Sequence, residues 1–222
     1  MLFSWLTEKG ILAMNPALEV KTEKFSRSEG KRPAFETDQV QKVLDKIDTS
    51  NEVGLRDRAL LGTLAYTFAR IGAVVNLKVE DYFQTGKRSM IRFSEKVGKE
   101  TEIPVHHKLE LLDQYLETSG LRNQPNAPLF PIALGKTRKL GNRPATRIDA
   151  ARMLKRRLKD AGLSDAFSPH SFRATGITNF LENGGTLEVA QRIAGHADSR
   201  TTKLYDRRGQ KVLLEDMERI CY

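Results

Sequence analysis

Ser168-Pro169-His170-Ser171-Phe172-Arg173 opens a helix and carries two candidate functional side chains in its first turn. Serine suits the N-cap and proline the first helical position. His170 and Arg173, three residues apart, then share one face. The unpaired amides of a first turn and the positive end of the helix dipole favour an anion such as phosphate. Taken alone, the pair also describes a capping histidine beside a surface arginine. Downstream comes Ala194-Gly195-His196, and nine residues later Tyr205, in Leu204-Tyr205-Asp206. Gly195 fits the C-cap of a predicted helix over 189–194, which puts His196 on a turn. Asp198 or Ser199 would cap a last short helix carrying Tyr205. A tyrosine beside a leucine is, by itself, an ordinary core aromatic.

The 222 residues carry a net charge of +9, with 39% apolar and 29% charged residues, the balance of a folded chain with a proper core. No apolar run approaches the roughly 20 residues of a membrane span. The start, Met1-Leu2-Phe3-Ser4-Trp5-Leu6, has no signal-peptide pattern. The single cysteine, Cys221, excludes an intramolecular disulfide and a cysteine-based zinc site, and fits a reducing compartment. These features lead to the expectation of a cytoplasmic protein with no membrane contact, whose basic balance points to polyanions. The charge is concentrated. From Lys136 to Asp160 there are ten Lys or Arg against Asp149 and Asp160, a net +8. Residues 147–161 read as a helix with Ile148, Ala151, Met153, Leu154 and Leu158 toward the core. Arg147, Lys155, Arg156, Arg157 and Lys159 then become candidate phosphate-backbone contacts, against the alternative of a merely solvated face.

Periodicity divides the chain further. Residues 3–13 read as a helix closed by Asn15-Pro16, and 17–33 as a polar linker. The domain division expected is therefore 1–33, a helix end plus linker, and 34–222, one domain. Helices are predicted over 37–47 and 55–68, the second apolar nearly all round and hence central. Residues 79–83, 89–93 and 101–105 read as three short antiparallel strands. Helices resume near 108 and continue to the end, broken at 125–131, 164–169, 184–185 and 195–198. The fold class expected is mainly α with a small three-stranded antiparallel sheet.

Two further cations stand out. Arg70, in Phe68-Ala69-Arg70-Ile71, interrupts an apolar run, where a buried guanidinium needs an anionic partner. Lys96 lies in the predicted hairpin turn Glu95-Lys96-Val97-Gly98-Lys99. No metal site is expected: the adjacent His106 and His107 would point in different directions, and no acidic cluster or phosphate-binding glycine loop is present.

The order Arg70, Lys96 followed by Ile103-Pro104-Val105, His170-x-x-Arg173, Ala194-Gly195-His196 and Tyr205 resembles the tyrosine recombinase, or phage-type integrase, family over about residues 34–208. The resemblance implies that family's catalytic-domain fold and DNA strand cleavage and rejoining by a site-specific recombinase. Tyr205 would form a 3′-phosphotyrosyl link, Arg70 and Arg173 would hold the phosphate, Lys96 would protonate the 5′-oxygen, His170 would assist as acid/base and His196 would hydrogen-bond the phosphate. It also implies no cofactor, double-stranded DNA as partner, and a monomer that assembles as a tetramer on DNA. Residues 3–17 look like the last helix of the family's N-terminal core-binding domain, most of which this sequence would then lack. One position departs: the family usually has an acid three residues after the first arginine, and here it is Ala73. A type IB topoisomerase shares the chemistry, and a helical DNA-binding regulator would use only the basic window. Leu213, Met217 and Ile220 give the tail one apolar stripe on a predicted helix, expected to dock on a neighbouring subunit when on DNA.

Overall fold

Helix α3 (Glu52–Thr67) has no wet side over most of its length: Leu55, Ala59, Leu60, Leu61 and Leu64 are all essentially buried. The computed structural model describes residues 2–18, 20, 33–94, 100–109, 111–196 and 198–206. Asn51 starts α3, its side-chain oxygen accepting from the Gly54 amide at 3.0 Å. Gly54 is required because a Cβ would stand 1.7 Å from the Asp48 carbonyl oxygen. The helix stops at Phe68, which adopts a left-handed φ of 55°.

Around α3 stand α2 (Thr37–Asp45), α5 (Leu111–Thr118) and α7 (Pro169–Glu182), with the short α4 (Ile71–Val75) leading away from its C-terminus. The order continues with α6 (Arg147–Asp160) before α7, then α8 (Leu187–Ala194) and α9 (Ser199–Lys203). The expected three-stranded sheet is present as β1 (Tyr82–Thr85), β2 (Arg88–Ser94) and β3 (Glu100–Pro104), antiparallel in the order β1-β2-β3. Ile91 faces both Tyr82 and Ile103 across the ladder, and all three are buried toward the helices. Most of the fold class read from the sequence therefore stands.

Four expectations change. Residues 79–81 form a 3-10 turn rather than strand, because the Lys78 amide is captured by the Asp81 carboxylate at 2.8 Å. The first helix, α1 (Leu2–Glu8), ends well before Asn15-Pro16 because Gly10 turns the chain with φ 69°. Residues 131–144, expected as break and helix, are instead a hairpin of β4 (Pro131–Ala133) and β5 (Leu140–Pro144). Its prolines pair with each other at the open end, and Gly135 takes a positive φ near the tip. In α6, Ala150, Met153, Leu154 and Leu158 face the core, whereas Ile148 is 62% exposed. Ile148 is the second residue of α6 and, at about 100° per residue, lies nearly opposite Ala150 and Met153, so it falls on the outer face.

A buried ion cluster joins α3 to α6. Asp57, fully buried, accepts from Arg157 Nε at 3.0 Å and Nη2 at 2.6 Å. Arg56 Nε stands 2.8 Å from the other Asp57 oxygen without hydrogen-bond geometry, while its Nη1 donates to the Pro131 carbonyl at 2.8 Å. Arg157, expected as a DNA contact, is thus committed inward. Removing one member strands the others: Asp57→Ala is expected to cost about 3–5 kcal/mol in urea unfolding. Combining it with Arg157→Met should recover part of that loss.

Candidate active site

Arg173 is a buried cation that joins two helix ends. Its Nη1 donates to the Phe68 carbonyl and its Nη2 to the Ala194 carbonyl, each at 2.6 Å. Phe68 and Ala194 close α3 and α8, where the last carbonyls lack helical partners and the dipole is negative. The guanidinium satisfies both. Phe68 can take its left-handed turn because Gly176 of α7 leaves room: a Cβ there would fall 2.4 Å from its ring.

Arg70 reaches the next carbonyl along, its Nη2 donating to Gly195 O at 3.2 Å. The sequence suggested a buried arginine; the structure has it exposed, as the N-cap of α4, because α3 ends at Phe68 and the chain turns outward. Gly195 closes α8 with φ 58°, as expected, and sends His196 inward. The α8 helix itself starts earlier than predicted, capped by Thr186. His196 Nδ1 lies 2.8 Å from the Thr202 hydroxyl, and its ring is parallel to that of Tyr205 with centroids 6.2 Å apart. Burial first, then the neighbouring Arg173 and Arg70, push the His196 pKa down to about 4. The imidazole is therefore neutral at ordinary pH.

Tyr205 follows α9, whose N-cap Asp198 accepts from the Arg200 amide at 2.8 Å. It is half-buried against Phe68, Ile177, Leu181, Ala190 and Ala194. Its carbonyl accepts from Thr178 of α7 at 3.2 Å. Residues 194–196 are thus the meeting point: one carbonyl for each arginine, the imidazole, and the tyrosine ring beside it. His170 is exposed in the first turn of α7, on the helix that carries Arg173, and the Ser171 hydroxyl accepts from the Ser168 amide at 3.1 Å to close that turn. Lys96 lies outside the described residues, as do Leu213, Met217 and Ile220 of the tail.

Of the candidate DNA contacts, Arg147, Lys155, Arg156 and Lys159 are exposed on α6, together with Arg152. Lys155 also donates to the Phe167 carbonyl at 3.2 Å. Arg147 lies across Gly72 of α4, where a Cβ would sit 3.4 Å from its Nε, and so flanks the segment that begins with Arg70. Contrary to expectation, the His106 and His107 rings lie together, 4.2 Å between centroids, with His106 stacked on Tyr66. Among the described residues no group of three or more His, Cys, Asp or Glu side chains gathers to hold a metal ion. Sequence reasoning missed Thr202 and the three carbonyls. Backbone acceptors leave no residue-type signal, and only the six-residue spacing from His196 marked Thr202.

The chain matches the sequence profile of the phage integrase family over residues 33–211. The chain belongs to the phage integrase family. Among relatives of this integrase chain, the tyrosine recombinase XerD of Listeria innocua serovar 6a is 33% identical over 205 residues, which is 91% of this chain and 66% of that protein. The chain thus spans just under two thirds of the length of that curated relative. In fold, it resembles the XerH site-specific recombinase bound to difH substrate in a pre-cleavage complex, with a TM-score of 0.68 at 21% identity over 94% of this chain and 60% of the other. It also resembles a lambda integrase tetramer bound to a Holliday junction, with a TM-score of 0.63 at 19% identity over 95% of this chain and 57% of the other.

The depressed His196 pKa has a consequence for stability. Unfolded, the imidazole titrates near its ordinary value of 6.5; folded, it resists protonation down to about 4. The stability it contributes is therefore present above pH 6.5 and is lost as pH falls from there toward 4. Thermal melts of the His196→Asn variant should show a smaller drop in Tm between pH 7 and 4.5 than the parent. Equal drops would mean that His196 is not held neutral.

Proposed function

We propose that this integrase-family chain is the strand-cleaving part of a site-specific DNA recombinase, acting in the cytoplasm on double-stranded DNA. The observation that carries the reading is the convergence on residues 194–196, where two guanidinium groups, a neutral imidazole and a tyrosine come within reach of one another. That combination suits a phosphodiester: forked donors for non-bridging oxygens, a neutral donor, and an oxygen nucleophile. The XerD likeness supports the recombinase class.

In this reading Tyr205 Oη attacks the phosphorus, the bond to the 5′-oxygen breaks, and a 3′-phosphotyrosyl link forms. Arg70 and Arg173 stabilise the negative charge that builds on the phosphate oxygens. Their carbonyl partners hold both side chains in place before DNA arrives, so little reorganisation is needed at the reaction. Lys96 returns a proton to the leaving 5′-oxygen, and His170, beside Arg173 on the first turn of α7, exchanges the tyrosine proton. Reversal by another strand's 5′-hydroxyl reseals the DNA. The phosphotyrosyl ester conserves the energy of the broken bond, so neither a nucleotide nor a metal ion is called for. Arg147, Arg152, Arg156 and Lys159 meet the DNA backbone, with Lys155 contributing from the same face. The chain works as an oligomer on DNA, a tetramer by analogy with the lambda integrase assembly, and as a monomer when free.

Tyr205→Phe should abolish the covalent protein–DNA adduct in a nicked-duplex trapping assay while leaving DNA retention in place. Arg70→Ala should slow adduct formation by roughly 10²-fold or more, the scale of losing one preorganised donor. An adduct at the parental rate in either variant would refute the assignment. Replacing Arg152, Arg156 and Lys159 together by Ala should weaken binding across all sequences and flatten its salt dependence. An unchanged slope would exclude that face of α6 from the interface.

A further inference from the structure

Among the described residues, the buried Thr202 hydroxyl has one hydrogen-bond partner. Thr202 is fully buried, and among the described residues its Oγ1 contacts only His196 Nδ1, at 2.8 Å. Threonines elsewhere in this protein turn their hydroxyl onto the carbonyl four residues back, as Thr63 does to Ala59 and Thr67 to Thr63. Thr202 does not do so: the carbonyl of Asp198 accepts from the Thr201 amide instead. A buried hydroxyl whose proton meets no acceptor carries an uncompensated desolvation cost. The lone pair of His196 Nδ1 is the acceptor on offer. An imidazole that accepts at Nδ1 and stays neutral must carry its own proton on Nε2.

We propose that the Thr202 hydroxyl donates to His196 Nδ1 and so fixes this imidazole as the Nε2–H tautomer, which makes Thr202 a positioning residue for the donor that His196 offers. The opposite arrangement, with Nδ1–H donating to Thr202, would leave the hydroxyl proton without an acceptor among the described residues and turn Nε2 into a bare lone pair. A lone pair repels a phosphate oxygen; an N–H attracts it. Thr202 lies in α9, three residues before Tyr205, whose amide donates to the Thr202 carbonyl at 3.0 Å. One residue therefore holds the tautomer of His196 with its side chain and the start of the nucleophile's segment with its backbone. The catalytic consequence rests on the strand-cleavage reading above; the tautomer does not.

The test is long-range proton–nitrogen NMR on the whole protein labelled with nitrogen-15 histidine, with His196 assigned by its loss in His196→Asn. The parent should show Nδ1 as the unprotonated nitrogen and Nε2 as the protonated one at pH 7. Thr202→Val, close in shape but without the hydroxyl, should mix the two tautomers, and Thr202→Ser should restore the single one. In the trapping assay Thr202→Val should slow adduct formation about tenfold with DNA affinity unchanged, and Thr202→Ser should recover most of that rate. A protonated Nδ1 in the parent overturns the proposal even if Thr202→Val fails to fold. The expected tautomer in a protein that forms no adduct on any DNA would support the assignment and refute the recombinase reading instead.

Discussion

Arg173 sits where two helices run out of hydrogen bonds. The last carbonyls of α3 and α8 cannot be satisfied within their own helices, and burying them without donors would be costly. A single guanidinium, itself too polar to bury alone, reaches the carbonyls of Phe68 and Ala194. Each party removes the other's penalty. With that contact made, α3 and α8 are fixed against α7, the chain leaves Phe68 toward Arg70, and it leaves Gly195 toward His196. The site is largely a by-product of how these helix ends are closed. Arg173 is thus a structural fastener as well as a candidate phosphate ligand, and its loss cannot be read as a purely chemical deletion.

The basic helix α6 shows the same economy. Its cations are not one uniform surface: Arg157 serves the buried Asp57, and Lys155 divides itself between solvent and the Phe167 carbonyl. Arg152, Arg156 and Lys159 remain outward, opposite Met153 and Leu154. Asp57 is buried in the central helix α3 and ties it to the charged α6. The arrangement sets the height and rotation of the outward face relative to the core.

The helices and the small sheet were legible because their signals are periodic. The apolar run of α3 has room only in a core, and the alternation around Ile91 fits only a half-buried strand. The 131–144 hairpin was missed because proline and glycine announced a break without saying that two strands would flank it. Ile148 was misplaced because an apolar residue in a helix's first turn need not join the core stripe, which Ala150, Met153, Leu154 and Leu158 form on the other side of α6. At the site, Arg70, His170, Arg173, His196 and Tyr205 were legible as an ordered set of side chains. Their supports were not, since the carbonyls of Phe68, Ala194 and Gly195 belong to any residue type. Arg70 was expected inside, yet it is Arg173 that the core encloses; the sequence shows a charge within an apolar stretch but not which way the chain turns there.

The bond from Thr178 to the Tyr205 carbonyl ties the tyrosine to the helix that carries His170 and Arg173. Under the proposed function, Tyr205 as nucleophile and Arg173 as phosphate ligand are thus held together within a single polypeptide. In the assembly proposed above, such ownership would make each subunit answerable for one strand. A defective copy would then leave its own strand uncut, with no relief from the tyrosine next door. Order among the strands must then come from differences in how the copies are held, and not from trading parts between them.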